Sequence, residues 1–197
     1  MRFLILTLAL IAAAPVAVPA AEDAPGAPVT SGGAFTPEKA ARLDALFAEL
    51  QSAPTPAAGK QAEQLILLEW LSSGDDNVDT LMAGALVAME MRAFPQAIDI
   101  LDKVIAAKPD YVEGWNKRAT VYYYMRRYDR SLSDIEHTLA LDPRHFGALA
   151  GLGMIMQDVG NMPAAIAAFE KAVEVNPTLD NIKSAIDHLK AKTGKDI

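Results

Sequence analysis

The sequence predicts an all-α chain in which helix–turn–helix units stack side by side as an α-solenoid. Three observations predict it. First, KPDYVEGW, LDPRHFGAL and VNPTLDNI place Pro109, Pro143 and Pro177 thirty-four residues apart at each step, and a fixed period of that length marks a repeat architecture. Second, other residues recur in the same frame: Trp115 with Leu149, Ala119 with Gly153, Tyr122 with Met156, then Ala97, Ser131 and Ala165, Leu101, Ile135 and Phe169, and Val104, Thr138 and Ala172. These are the small and large positions that two closely crossing helices need. Third, each unit reads as a helix, a short turn with Pro or Gly punctuation, a second helix and a Pro-closed loop, with no strand of note. One helix pair cannot bury its apolar face alone, so neighbours must stack and at least about three units are required.

The chain begins MRFLILTLALIAAAPVAVPA, with one cation (Arg2), an apolar run from Phe3 to Ala14 and a small-x-small site ending at Ala20. This is the pattern of an export signal, expected over 1–20 and cleaved after Ala20. The alternative is a retained anchor, but this run of twelve residues, Thr7 among them, reaches only about 18 Å, short of a ~30 Å hydrocarbon core. A bacterial periplasmic destination follows as an expectation. Residues 21–36 are rich in Pro, Gly and Ala and read as a disordered tether. No later apolar run approaches spanning length, so no stable membrane insertion is expected once the signal is cleaved.

Thr36, Pro37 and Glu38 then form a helix start, with Leu43, Leu46, Phe47 and Leu50 on one face. After the break SAPTPAAG, the stretch KQAEQLILLEWL reads as a second helix with Leu65, Leu68, Trp70 and Leu71. Residues 37–77 are expected to be an N-terminal helix pair, a degenerate repeat or a cap. The repeats occupy 78–111, 112–145 and 146–179. From 180 to 197 an amphipathic capping helix and tail follow, with Ile182, Ala185, Ile186 and Leu189 on one face. The expected total is about seven or eight helices.

The periodic residues resemble the tetratricopeptide repeat. The third unit fits most closely, through Leu149, Leu152, Gly153, Gly160, Ala165, Phe169, Ala172 and Pro177. The second carries Trp115, Ala119, Tyr122, Tyr128 and Pro143, and departs at Arg118 and Arg126, where the family has Leu and Gly. The first shows Ala85, Phe94, Ala97, Leu101 and Pro109. The resemblance implies a right-handed superhelix whose first helices line a concave groove for a peptide or helix of a partner. Carried over position by position, that groove comprises Met82, Leu86 and Met89, then Asn116, Thr120, Tyr123 and Tyr124, then Met154 and Gln157, with Asp79, Glu90, Glu113, Gly147, Ala150 and Asp158 in the same set. An apolar floor with carboxylates at the rim is expected. Met adapts to varied partners, and Tyr adds contact area with a polar tip. The family's clamp for a C-terminal carboxylate is not expected, since only Asn116 in the set has the required character.

The stretch YYYMRRYDR is divided by this frame. Tyr122 falls on the packed stripe and Tyr128 starts a second helix. Tyr123 and Tyr124, turned further round, face the groove. Lys117, Arg118, Arg126, Arg127 and Arg130 form a local excess of positive charge. The solvated reading pairs them with Asp129, Asp134 and Glu136; the functional one makes Arg126, Arg127 and Arg130 an anionic docking patch.

Other chemistry has little support. The net charge of −7 argues against nucleic acid, which needs a basic stripe. There is no cysteine, hence no disulfide or thiolate site. His137, His145 and His188 lack metal-ligand spacing and are expected at the surface. GDDNVD, residues 74–79, lacks the distant Glu of a calcium loop and reads as a loop and N-cap. Ser72, Ser73, Ser131 and Ser133 lack a nucleophile's context, and no phosphate-binding loop is present. No enzyme activity, metal or cofactor is expected. The expected function is a non-enzymatic periplasmic scaffold that binds a protein segment in its concave groove. The alternative is an accessory subunit of an envelope assembly, secretion or maturation complex, docking through its convex face or caps.

Overall fold

The structure, a computed structural model, describes residues 34–193; the expected signal and most of the tether lie outside them. Among the described residues nine helices are present, one more than the expected upper count. They are α1 Pro37–Gln51, α2 Pro56–Leu71, α3 Asp76–Glu90, α4 Phe94–Ala107, α5 Val112–Tyr124, α6 Tyr128–Leu141, α7 Phe146–Asp158, α8 Met162–Val175 and α9 Asp180–Thr193. The last three tether residues belong to the fold: Ala34 is buried, Phe35 packs near α1, and the Thr36 side chain accepts the Lys39 N–H at 3.3 Å. The same device starts α2, where Thr55 precedes Pro56 and accepts the Ala58 N–H at 3.2 Å. Helix α2 therefore begins at Pro56, inside what reads in sequence as a break.

The three repeat units are α3–α4, α5–α6 and α7–α8. Their internal turns share one geometry. Arg92, Arg126 and Gly160 occupy the left-handed region at φ 56°, 55° and 83°. In each turn the following N–H reaches back five residues, Ala93 to Ala88 O, Arg127 to Tyr122 O and Asn161 to Met156 O, all at 2.8 Å. This is the Schellman closure that satisfies a helix's last carbonyls. The small-residue stripe explains the packing within units. A Cβ on Gly153 would stand 2.3 Å from the Phe169 ring, so α7 and α8 cross closer than any larger residue permits. Ser131, in the equivalent second-helix frame, donates its hydroxyl to Ala119 O at 2.8 Å. Ala97, Leu101, Val104, Ala165 and Phe169 are all buried, each large side chain contributing about 1.5–3 kcal/mol. Helix α9 closes the stack as expected, burying Ile182, Ile186 and Leu189.

The first helix pair does something the sequence reading leaves open. It neither caps the stack end-on nor continues it as a further repeat; it lies along the loops that join one unit to the next. Tyr111, His145 and Leu179 hold the same repeat position in those loops, and each meets the pair. The Tyr111 hydroxyl donates to Leu71 O at 2.5 Å, the His145 ring stacks on Trp70 at 4.0 Å, and Leu179 packs with the α1–α2 core. Gln51 donates to Glu174 O and Val175 O at 2.9 and 2.8 Å, Thr178 donates to Glu63, and Arg144 pairs with Asp44 at 2.6 Å. Gly59 allows this approach, since a Cβ there would meet Thr178 at 2.7 Å. The pair is a strap across one edge of the solenoid.

Candidate functional site

The concave face is built from α3, α5 and α7. Between α5 and α7 lies a small cleft of about 60 Å³ walled by Tyr123, Tyr124, Thr120 and Met154. Gly147, Ala148 and Gly151 form part of its floor because they lack bulk above the helix. Tyr124 also borders a second cleft of about 250 Å³ with Met89, Glu90, Arg92 and Phe94, and its ring stacks on Phe94 at 5.8 Å with planes 10° apart. A third, about 300 Å³, joins Leu68 and Leu71 of the strap to Met82 and Leu86 of α3. Apolar side chains thus line clefts from Leu68 and Leu86 to Tyr124 and Met154, with Glu90 and Arg92 beside the middle one. Leu68 and Tyr124 are each 61 % exposed, which is unusual for large apolar side chains.

Of the sequence-derived set, Met82, Leu86, Met89, Asn116, Thr120, Tyr123, Tyr124 and Met154 line these clefts. Two of these are largely buried, and one further member lies outside the clefts. Met82 is 1 % exposed and belongs to the core that includes Leu101 and Val104, so only its edge reaches a cleft. Asn116 is also buried and donates to Glu113 at 3.1 Å, and from that position it lines the cleft between α5 and α7. Gln157 is exposed but borders none of the clefts. Burial follows from the strap and loops, which cover the starts of α5 and α7.

Glu113, expected at the rim, is the centre of a buried network instead. It accepts from Asn116, from Lys117 at 2.7 Å and from His145 Nε2 at 3.0 Å. His145 Nδ1 in turn accepts the Ala148 N–H at 3.1 Å and caps α7. The ring nitrogen facing Glu113 thus carries the proton. Burial alone would raise the Glu113 carboxyl; the His145 hydrogen bond and Lys117 charge outweigh it and hold it down to about 2. His145, expected at the surface, is 1 % exposed. A histidine directly before a helix start, where its ring nitrogen can cap the helix, was the available signal. Trp70 completes the site, donating its indole N–H to Asp142 at 3.0 Å.

The arginines separate into two groups. Arg118 bridges Asp134 and Asp102 at 2.7 Å each and lies over the Trp115 ring. It is held firmly charged by the Asp134 hydrogen bond. Arg126, Arg127 and Arg130 form no salt bridge among the described residues, so the expected pairing with Asp129 and Glu136 does not occur. Burial first, then Asp158, raises the Tyr123 phenol, while Tyr128 donates to Asp158 at 2.7 Å across the unit boundary.

No group of three or more His, Cys, Asp or Glu side chains that could hold a metal ion is assembled among the described residues. Stacked helix pairs with apolar-lined clefts define an α-solenoid interaction scaffold. The tetratricopeptide repeat family model matches residues 116–179. A TPR repeat-containing protein of Rhizobium etli is 40% identical over 151 residues, 77% of this chain and 74% of that protein. The chain belongs to the tetratricopeptide repeat family, whose domains are protein-interaction scaffolds. A co-chaperone of Aspergillus fumigatus is 25% identical over 116 residues, 58% of this chain but 34% of its own length. Among solved structures, the Sgt2 TPR domain from Aspergillus fumigatus superposes with a TM-score of 0.58 at 23% identity, covering 62% of this chain and 82% of that one. The first TPR of Spaghetti, bound to an HSP90 peptide, gives 0.56 at 17%, covering 59% and 93%. MamA gives 0.56 at 18%, covering 75% and 84%. These structural likenesses show the fold.

Proposed function

We propose that this protein is a non-enzymatic scaffold, exported to the periplasm, that holds an apolar segment of a partner protein along its concave track. The observation that carries the reading is the set of apolar side chains Leu68, Leu86, Met89, Tyr124, Tyr123 and Met154 that line three clefts of a pre-formed surface. Isolated exposed apolar side chains need no explanation, but several gathered in clefts mark a docking site. Because the surface is already ordered, binding need not carry the entropy of folding the scaffold. Peptide binding by the related HSP90-peptide complex supports the mode, not the partner. Export is supported by Arg2, the apolar run Phe3–Ala14 and the Ala20 site.

The test is in-cell crosslinking and mass spectrometry on the wild type and on a Tyr123→Ala, Tyr124→Ala double variant. The expected result is a partner recovered by the wild type and lost by the variant. Undiminished recovery would move the contact to the convex face or caps and overturn the groove. For export, N-terminal sequencing should find a chain starting at Ala21; one starting at Met1 would overturn cleavage.

A further inference from the structure

Three arginines of the described chain are consumed internally: Arg42 by Glu69, Arg118 by Asp102 and Asp134, Arg144 by Asp44 and Asp142. The remaining four, Arg92, Arg126, Arg127 and Arg130, are exposed and have no carboxylate within 4.0 Å, although Arg130 lies over the Tyr122 ring at 5.6 Å. All four sit at the turns inside the first two units or just after them. That edge lies across the solenoid from the one the strap covers. Arg92 and Arg126 also hold left-handed backbone at φ 56° and 55°, where the third unit has Gly160. A side chain there costs roughly 1–2 kcal/mol over an unstrained residue, so both turns keep a guanidinium at a position that suits glycine.

We propose that this edge is a second docking surface, meeting the concave track at the 250 Å³ cleft, and that it takes an acidic segment of a partner protein. Guanidinium forks match carboxylates in bidentate pairs. Side-by-side helices lie roughly 10 Å apart, which an extended chain covers in about three residues. Acidic residues spaced about that far apart would therefore meet both turns. Beside them, the Phe94–Tyr124 stack and Met89 offer the apolar wall of the 250 Å³ cleft that Arg92 borders. Glu90, Asp129 and Asp158 share the region, and Asp158 already accepts from Tyr128. Four cations against three carboxylates leave the edge attractive to a short anion. The charge of the chain as a whole is −7, so at about 0.15 M salt the ~8 Å screening length favours a local acidic peptide over an extended polyanionic surface such as a membrane.

The experiment is fluorescence anisotropy of a labelled peptide with glutamate at every third position, beside its glutamine counterpart, on the purified protein. The glutamate peptide should bind about tenfold tighter and lose that advantage as salt rises. A fourfold variant, Arg92→Gln, Arg126→Gln, Arg127→Gln and Arg130→Gln, should abolish the difference while its circular dichroism melt stays within a few degrees of wild type. If that variant unfolds, Arg127→Gln with Arg130→Gln, which leaves the strained turns alone, should still cut the preference at least threefold. Equal binding of the two peptides overturns the proposal. So does retained preference in a folded variant, or arginine-dependent binding to phosphatidylserine vesicles without peptide discrimination.

Discussion

Trp70→Ala tests whether the strap is held as the structure shows. The indole is 1 % exposed, stacks on His145 at 4.0 Å, contacts Phe146 and Phe47 at 4.9 and 5.9 Å between centroids, and donates to Asp142 at 3.0 Å. Removing a buried Trp costs about 3–5 kcal/mol. Asp142 keeps the Arg144 N–H at 3.0 Å on its other oxygen, and water entering the space the indole leaves can serve the orphaned one. At about 2–4 °C per kcal/mol for a chain of this size, the melting temperature should fall by roughly 6–20 °C. The loss should also be uneven. Trp70 touches the inter-unit loops, not the small-residue stripes inside the units, so α1 and α2 should lose amide protection first while α3–α8 retain it. Hydrogen exchange with mass spectrometry, beside a thermal melt, reads both effects. Trp70→Phe keeps a ring against His145 and leaves the buried Asp142 oxygen without its donor, a cost of about 1–3 kcal/mol. A fall under about 2 °C, or uniform loss of protection, would refute a strap seated on the loops.

Three further outcomes follow from single sites. Gly153→Ala should lower stability by about 1–3 kcal/mol, because its Cβ would meet the Phe169 ring at 2.3 Å; an unchanged melt would show that α7 and α8 can part freely. Arg126→Gly should raise the melting temperature by a degree or more, since relief of the left-handed strain at φ 55° exceeds glycine's entropy cost by up to about 1 kcal/mol; a lower melt would contradict it. Glu113 is held at about 2 against an ordinary 4.5, so its contribution is complete above pH 4.5 and is lost as pH falls towards 2. The melting temperature of wild type should therefore drop more than that of Glu113→Gln across that window, and parallel curves would remove Glu113 from the acid response.

Much of this architecture is legible in the sequence because its causes are local. The thirty-four-residue spacing of Pro109, Pro143 and Pro177, the small residues Ala119, Ser131 and Gly153, and the Thr-Pro starts each act within a unit or between neighbours. Tyr122 and Tyr124 divide as periodicity requires, the one buried and the other 61 % exposed. Tyr128 begins α6, as its place after the turn implies. Only the tertiary structure decides where α1 and α2 lie. Their partners are distant in the chain: Trp70 and Asp142 are 72 residues apart, Gln51 and Val175 are 124, and no helical period encodes a contact across that separation. That placement buries His145, Glu113 and Asn116, positions whose residue types read as surface or groove. It also adds Leu68 to the concave track. The four arginines without a carboxylate partner are visible as letters, but that lack is a tertiary fact, because it depends on which carboxylates the folded chain has already used.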